Sequence, residues 1–475
     1  MDDLYEDAAA AAGTKAAAAV TKADAPEKKK KAKKRAAEGD DDERVLKFRK
    51  LSQLEHVKLR PGMYVGSTAP APSTRTLITL GAEGAVEARR ATVEFVPALL
   101  KLFDEVVTNA LDAATKDPTV TNISVSLGDD FMSVRNNGAG MPVGVHPEHG
   151  IPLVEMVFGH LNTGTNFDES EERTVAGLHG LGIKLCNIFS SEFTVSVRDG
   201  ATGSTHEQTW HDQMSRAAEP KSKVRDKPVA GFVDVLFRPI PALLAPAGRL
   251  TDDVRGVLAA RVLDVALAVR DGVKVKLNDV ALPASSLKKY AKLLCPDGFL
   301  AVDESDGDGV WRVAVAAAGP EGADVHALVN GVSAPAGKHV EHVESRLYAA
   351  VIEKAANKRG AKGVTVKAAA LRARVRLFVV AKVADPQFDS QTKERCVTCK
   401  LLKKYEPSDA FVAKIAASEI VEAATQEERA RQVCGAARRG ARRPPHTSPT
   451  LRPAAAGPRR TVSWRPRRTG ARRRT

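Results

Sequence analysis

Little in this sequence would hold it together covalently or seat it in a lipid bilayer. Five cysteines are scattered through 475 residues, which argues against a disulfide framework and points to a reducing compartment. Cys396-Val397-Thr398-Cys399 has the spacing of half a zinc site, but no second pair follows and Cys434 stands alone, so a metal centre there is weakly supported. No run of 18 apolar residues occurs, so no membrane-spanning helix is expected. The chain opens on Asp2 and Asp3 with no apolar stretch behind them, which argues against a secretory signal. A chain of this length is expected to hold two or three domains with sizeable cores.

Residues 436–475 lack lysine, aspartate and glutamate altogether. They carry thirteen arginines, so thirteen of the formal +14 charges sit there and the rest of the chain is left at +1. The net charge is therefore no argument that the globular part binds DNA. Residues 434–475 also lack apolar periodicity and have the Arg, Ala, Pro and Gly that GC-rich DNA encodes out of frame. They are expected to be unstructured or an out-of-frame translation; a genuine arginine-rich nucleic-acid tail is the rival reading. Residues 1–44 are alanine, lysine and acids with almost nothing to bury, and are expected to be disordered. The run Lys28-Lys29-Lys30-Lys31-Ala32-Lys33-Lys34-Arg35 fits a nuclear-import cluster as well as a solvated charge run.

What is present is concentrated in residues 99–190. Leu99, Leu102, Phe103, Val106, Ala110 and Ala113 recur at helical spacing, which predicts a helix with one buried stripe. Glu105, Asn109 and Asp112 follow at i, i+4 and i+7 on one face. Such a face fits a site for a divalent metal and a water, and equally a solvated polar surface. Alternation at Ile123, Val125 and Leu127, then at Met132 and Val134, predicts two strands. The second runs into Asn136-Asn137-Gly138-Ala139-Gly140, whose glycines let backbone approach a flat ligand or simply make a turn. Gly177-Leu178-His179-Gly180-Leu181-Gly182-Ile183-Lys184 then opens an apolar helix. Its free N–H groups and the mobile charge of Lys184 suit phosphate. The spacing matches neither the dinucleotide fingerprint nor the P-loop.

Together and in this order, the three pieces resemble the ATP-binding site of the GHKL ATPases, which include gyrase-type topoisomerases, Hsp90-class chaperones, histidine kinases and MutL-type repair proteins. The blocks LEHVKLRPGMYVGS, FDEVVTNALD, NNGAGMPV, VFGHLNTGTNFD, GIKLCNIFS, VNGVSAPAGKHVEHV and DPQFDSQTK are similar, in the same order, to type II DNA topoisomerases of eukaryotes and large DNA viruses. The similarity runs over about residues 45–433.

The resemblance implies an α+β fold: a GHKL (Bergerat-type) ATPase α/β sandwich over 45–282, then a transducer domain with a mixed sheet over 283–433, between disordered termini. It implies ATP and Mg2+ as ligands. Glu105 would be the general base and Asn109 would hold the metal. Asn136, Gly138 and Gly140 would line the adenine end. Thr165 and Asn166 would reach ribose and phosphates, and Gly177, Gly180, Gly182 and Lys184 would contact the phosphates. Gln391 and Lys393, on a loop from the second domain, would sense the γ-phosphate. Lys358, Arg359 and Lys362 would face duplex DNA. A homodimer closing as an ATP-operated gate is implied, in the nucleus or at a viral replication site, with no membrane attachment. Four positions depart from the family pattern: Phe48, Ala113, Gly164 and Leu178. No Glu-Gly-Asp-Ser-Ala pattern occurs and the last tyrosine is Tyr405. ATP hydrolysis without DNA cleavage is therefore expected. The alternative is a non-catalytic fragment of the same fold that acts in interaction or dimerisation only.

Overall fold

The structure is a computed structural model that describes residues 47–163, 180–284, 286–304, 309–319, 322–357 and 366–440. The expectations for residues 1–44 and for the chain beyond 440 lie outside the described residues. An N-terminal arm carries α1 (Gln53–Leu59), closed by a capping box between Ser52 and Glu55, and α2 (Gly62–Val65). Strands β1 (Ala71–Leu80) and β2 (Val86–Phe95) form a hairpin, in register over ten pairs.

Helix α3 (Pro97–Lys116) follows. Proline suits its first turn, where an N–H would have no intrahelical partner. It buries Leu99, Leu102, Phe103, Val106, Ala110 and Ala114 against the sheet. That sheet contains β3 (Asn122–Leu127) and β4 (Met132–Gly138). After α4 (Leu153–Gly159) and α5 (Gly182–Ile188) come β5 (Ser190–Arg198), β6 (Thr205–His211), β7 (Arg216–Ala217), β8 (Lys221–Lys223) and β9 (Gly231–Pro239). Helices α6 (Pro241–Leu244) and α7 (Asp252–Ala268) precede β10 (Lys274–Leu277) and β11 (Val280–Ala281). The strand order is β11-β10-β3-β4-β9-β5-β6-β7, with β8 paired to β6. Among its strands only β10 and β3 run parallel, so the sheet is mixed. Helices α3 and α7 cover one face of it, and their apolar residues join the sheet's in one core.

The second lobe begins with α8 (Leu287–Leu294). It adds β12 (Leu300–Asp303), β13 (Trp311–Ala317), β14 (Asp324–Val329), β15 (Val332–Ser333) and β16 (Ala336–Gly337). Then come α9 (Lys338–Ala356), α10 (Ala368–Arg372), β17 (Val375–Ala381), β18 (Val383–Phe388), β19 (Arg395–Leu401), α11 (Asp409–Ala416) and α12 (Glu419–Gly440). The last helix thus continues beyond the boundary expected at 433. A five-stranded sheet runs β12-β13-β17-β14-β15, with β14 and β17 parallel. All seven residues of β17 are buried. Leu377 and Val379 enter the core of the second lobe, while Phe378 and Val380 enter that of the first. A strand buried on both faces reads as a continuous apolar run, and here that run joins the two lobes.

Candidate functional site

Glu105 lies in the middle of α3 and is 8% exposed. The ammonium of Lys101, one turn earlier on the same helix, contacts its carboxylate. A second ammonium arrives from the other lobe: Lys393 Nζ lies 3.4 Å from Glu105 Oε1, across 288 residues of sequence. Lys393 sits on the tight loop between β18 and β19, in the left-handed region at φ 61°, and its N–H donates to Ser390 O at 3.1 Å. Burial alone would push the Glu105 carboxyl upward, but the charges of Lys101 and Lys393 outweigh it and hold the group below the usual carboxylate range. Glu105 is therefore an anion at neutral pH despite being buried.

The neighbouring Asp104 makes a second link between the lobes. Arg261 of α7 donates from Nε to Asp104 at 2.5 Å and from Nη2 to the Gly331 carbonyl of the second lobe at 2.7 Å. Burial raises the Asp104 carboxyl, and the Arg261, Lys101 and Lys393 charges bring it below its ordinary value.

The glycine-rich turn meets the same carboxylate. A Cβ added at Gly182, the first residue of α5, would lie 1.9 Å from Glu105 Oε2. No side chain fits there, so glycine lets α5 start directly against the acid. Lys184, two residues on, departs from the mobile charge read in the sequence. It is 1% exposed, and its Nζ donates to Thr163 O at 2.5 Å and Gly180 O at 2.6 Å. Burial lowers its pKa to about 8. Its amine clips together the two described ends that flank residues 164–179.

The C-terminal end of α3 holds the other glycine turn. Asp117 accepts from Ala139 N at 2.7 Å. Gly140, at φ 71°, passes so close to β5 that an added Cβ would lie 1.8 Å from Arg198 O. Gly138 lies beside the Asp117 carboxylate. Asn136 is buried on β4, and its amide donates to Asn137 O at 3.1 Å. The Asn137 carboxamide accepts the N–H groups of Thr121 and Asn122 at 2.9 and 2.8 Å. Packing thus explains much of the Asn-Asn-Gly-Ala-Gly segment.

One helix therefore contacts the Gly182 turn and the Lys393 loop at Glu105, and the Gly138–Gly140 turn through Asp117. Asn109 is exposed one turn beyond Glu105, with Asp112 half-buried on the same side. Gln391 is half-buried beside Lys393. Thr165, Asn166 and Gly177 lie outside the described residues, as do Lys358, Arg359 and Lys362. Phe48 of the arm is 88% exposed. Sequence reasoning missed Lys101 and Asp117. Lys101 had a usable signal, because a lysine four residues before a glutamate is the spacing of a helix ion pair. Asp117 had none before the turn it holds was located.

Comparison with known proteins defines the class first. The family model described as "Histidine kinase-, DNA gyrase B-, and HSP90-like ATPase" matches residues 96–212, and that described as "DNA gyrase B" matches residues 284–439. The fold is that of a GHKL ATPase with a transducer domain attached. Solved structures narrow this. The ATPase and transducer domains of DNA topoisomerase II from Balamuthia mandrillaris superpose with TM-score 0.73 at 31% identity, covering 81% of this chain and 98% of that one. The ATPase region of Saccharomyces cerevisiae topoisomerase II gives TM-score 0.70 at 28% identity, covering 80% and 99%. DNA topoisomerase 2 of Arabidopsis thaliana is 33% identical over 387 residues, 79% of this chain and 26% of the relative. The chain belongs to the type II DNA topoisomerase family and corresponds to its ATPase and transducer region. It spans about a quarter of the length of the curated relatives it matches.

Proposed function

We propose that this chain binds and hydrolyses ATP and uses the nucleotide to set the angle between its lobes, as the gate of a type II DNA topoisomerase. One observation carries the reading. Glu105, the only carboxylate on α3 that touches both the Gly182 turn and a lysine of the other lobe among the described residues, is where the two lobes can sense one ligand.

Glu105 acts as general base. As a buried anion it can accept a proton from a water positioned against a terminal phosphate. Lys393 is the charge that the phosphate would share with Glu105, and nucleotide state then feeds into the position of the β18–β19 loop. The N–H groups of the Gly180–Gly182 turn stabilise developing phosphoryl charge. Asn109 offers an exposed amide oxygen, a hard donor that suits Mg2+ held largely by water and phosphate oxygens; bound there, the ion would neutralise phosphate charge. Asn136, Gly138, Gly140, Thr165, Asn166, Gly177 and Gln391 complete the nucleotide contacts by family resemblance. The reading extends to a homodimer, to duplex DNA met by Lys358, Arg359 and Lys362 through phosphates, and to the nucleus, supported by the basic run at 28–35.

A second reading has its own support. Glu105 is held by two ammoniums, an arrangement that also fits a lobe-to-lobe ion cluster in a non-catalytic interaction module. ATP turnover by the full chain, with and without duplex DNA, beside Glu105→Gln separates the two. Turnover that requires Glu105 and rises steeply with protein concentration supports the gate. Tight binding of a non-hydrolysable ATP analogue without turnover supports the module. Neither turnover nor binding overturns both nucleotide readings.

A further inference from the structure

Between the Gly138–Gly140 turn and α4 the chain makes a closed loop that the nucleotide reading does not use. Val145 and Pro152 form a β-bridge. His146 N donates to Ile151 O at 2.8 Å, Gly150 N to His146 O at 2.9 Å, and Leu153 N to Gly144 O at 2.8 Å. These bonds fix the loop's ends without help from its side chains.

Three of those side chains converge. His146, Glu148 and His149 each bring one ligand atom to within 4.8 Å of the others. The two imidazoles are stacked, with centroids 4.6 Å apart and planes at 25°. The Glu148 N–H donates to His146 Nδ1 at 3.3 Å. His146 is half-buried, while Glu148 and His149 are exposed. The exposed pair is free to change rotamer without disturbing a core.

We propose that this loop is a binding site for a divalent transition ion of the zinc type. Two imidazole nitrogens and one carboxylate are the donor set of open zinc sites, with a fourth position left for water. The same set is a poor match for Mg2+ or Ca2+, which take oxygen ligands. Metal–ligand bonds of about 2.1 Å put tetrahedral ligands about 3.4 Å apart. Closing the site takes a rotamer change that turns the exposed His149 ring out of the stack, so that the in-plane lone pairs of both imidazoles can meet one ion. The ion would cross-link the loop directly ahead of α4, whose end leads to Thr163 and the Lys184 clip. The site does not depend on nucleotide binding.

The test uses the full chain, stripped with EDTA, titrated with Co2+ and then with Zn2+. Expected are visible ligand-field bands without a thiolate charge-transfer band, displacement of Co2+ by one equivalent of Zn2+, and a loss of affinity of at least about tenfold in His146→Ala and in His149→Ala. Glu148→Gln, which keeps the loop's size and polarity, should weaken binding in the same direction. Circular dichroism unchanged in all three variants shows that the loss is not unfolding. No binding by the native chain overturns the proposal. So does binding untouched by the histidine variants, or a thiolate band that disappears in Cys399→Ser.

Discussion

The Lys393 loop and the start of α5 each bury a lysine, and they hold it in opposite ways. Lys393 is 7% exposed and Lys184 is 1% exposed. The Lys393 ammonium faces the carboxylate of Glu105. That of Lys184 faces two main-chain carbonyls, and burial lowers its pKa to about 8. A charge held by a charge is exchangeable, because another anion can compete for it. A charge held by carbonyls is spent on fixing the backbone that supplies them. A lysine beside a glycine-rich turn is thus not a phosphate ligand by virtue of spacing alone.

The comparison is broken most severely at Glu105. In Glu105→Gln the base is lost while size and hydrogen-bonding capacity remain. ATP turnover should fall by about 10²–10⁴, with binding of a non-hydrolysable analogue retained. Turnover within threefold of the native chain would remove Glu105 from the chemistry.

Lys393→Met sharpens the exchangeable half. Glu105 keeps Lys101 as its partner, and removing a buried ammonium also removes its desolvation cost, so thermal stability should move by no more than about 2 kcal/mol. Turnover should nevertheless drop by about tenfold or more, as when one charge that stabilises the transferring group is removed. If stability falls far more than turnover, Lys393 is a lobe-to-lobe strut and not a sensor.

Lys184→Met addresses the fixed half. It leaves the Thr163 and Gly180 carbonyls without their donor, at about 1–3 kcal/mol each, but also removes a buried charge. The two effects oppose each other, so net stability should change by no more than about 2 kcal/mol. Amide exchange at residues 180–184 should accelerate clearly, while turnover stays within about threefold. A loss of turnover matching that of Lys393→Met would return Lys184 to the phosphates.

The same contrast explains what could be read from the sequence. The α3 stripe and the alternation of β3 and β4 were legible because one face of each is buried and the period shows it. Glu105, Gly182 and Lys393 were legible as separate motifs, each carried by a block of unusual residue order. The direction of Lys184 was not, since local spacing does not say whether an ammonium turns toward solvent or toward its own backbone. Nor was the two-sided burial of β17: the run Val375–Val383 reads as a strand, but nothing in it says that its two faces enter the cores of different lobes. The end of α12 was obscured because its last residues lack an apolar stripe.

The second lobe holds a third buried base, and it extends the comparison to acid. His339, at the start of α9, is fully buried. Its Nε2 donates to Ala334 O at 2.9 Å, and its Nδ1 is buried without a hydrogen-bond partner. Like Lys184 it is held by a carbonyl, and burial lowers its pKa to about 4 from 6.5. The unfolded chain therefore binds the proton between those values and the folded chain does not. Stability is full above about pH 6.5 and is lost as pH falls through about 4. The depression corresponds to about 3 kcal/mol at most. In His339→Gln, which keeps an N–H donor for Ala334 and cannot protonate, this part of the acid dependence should vanish. Denaturant melts at pH 7 and pH 4.5 would show it as a smaller gap between the two midpoints than in the native chain. An unchanged gap would mean that Nδ1 finds an acceptor when protonated, and that a carbonyl-held base can still be a switch.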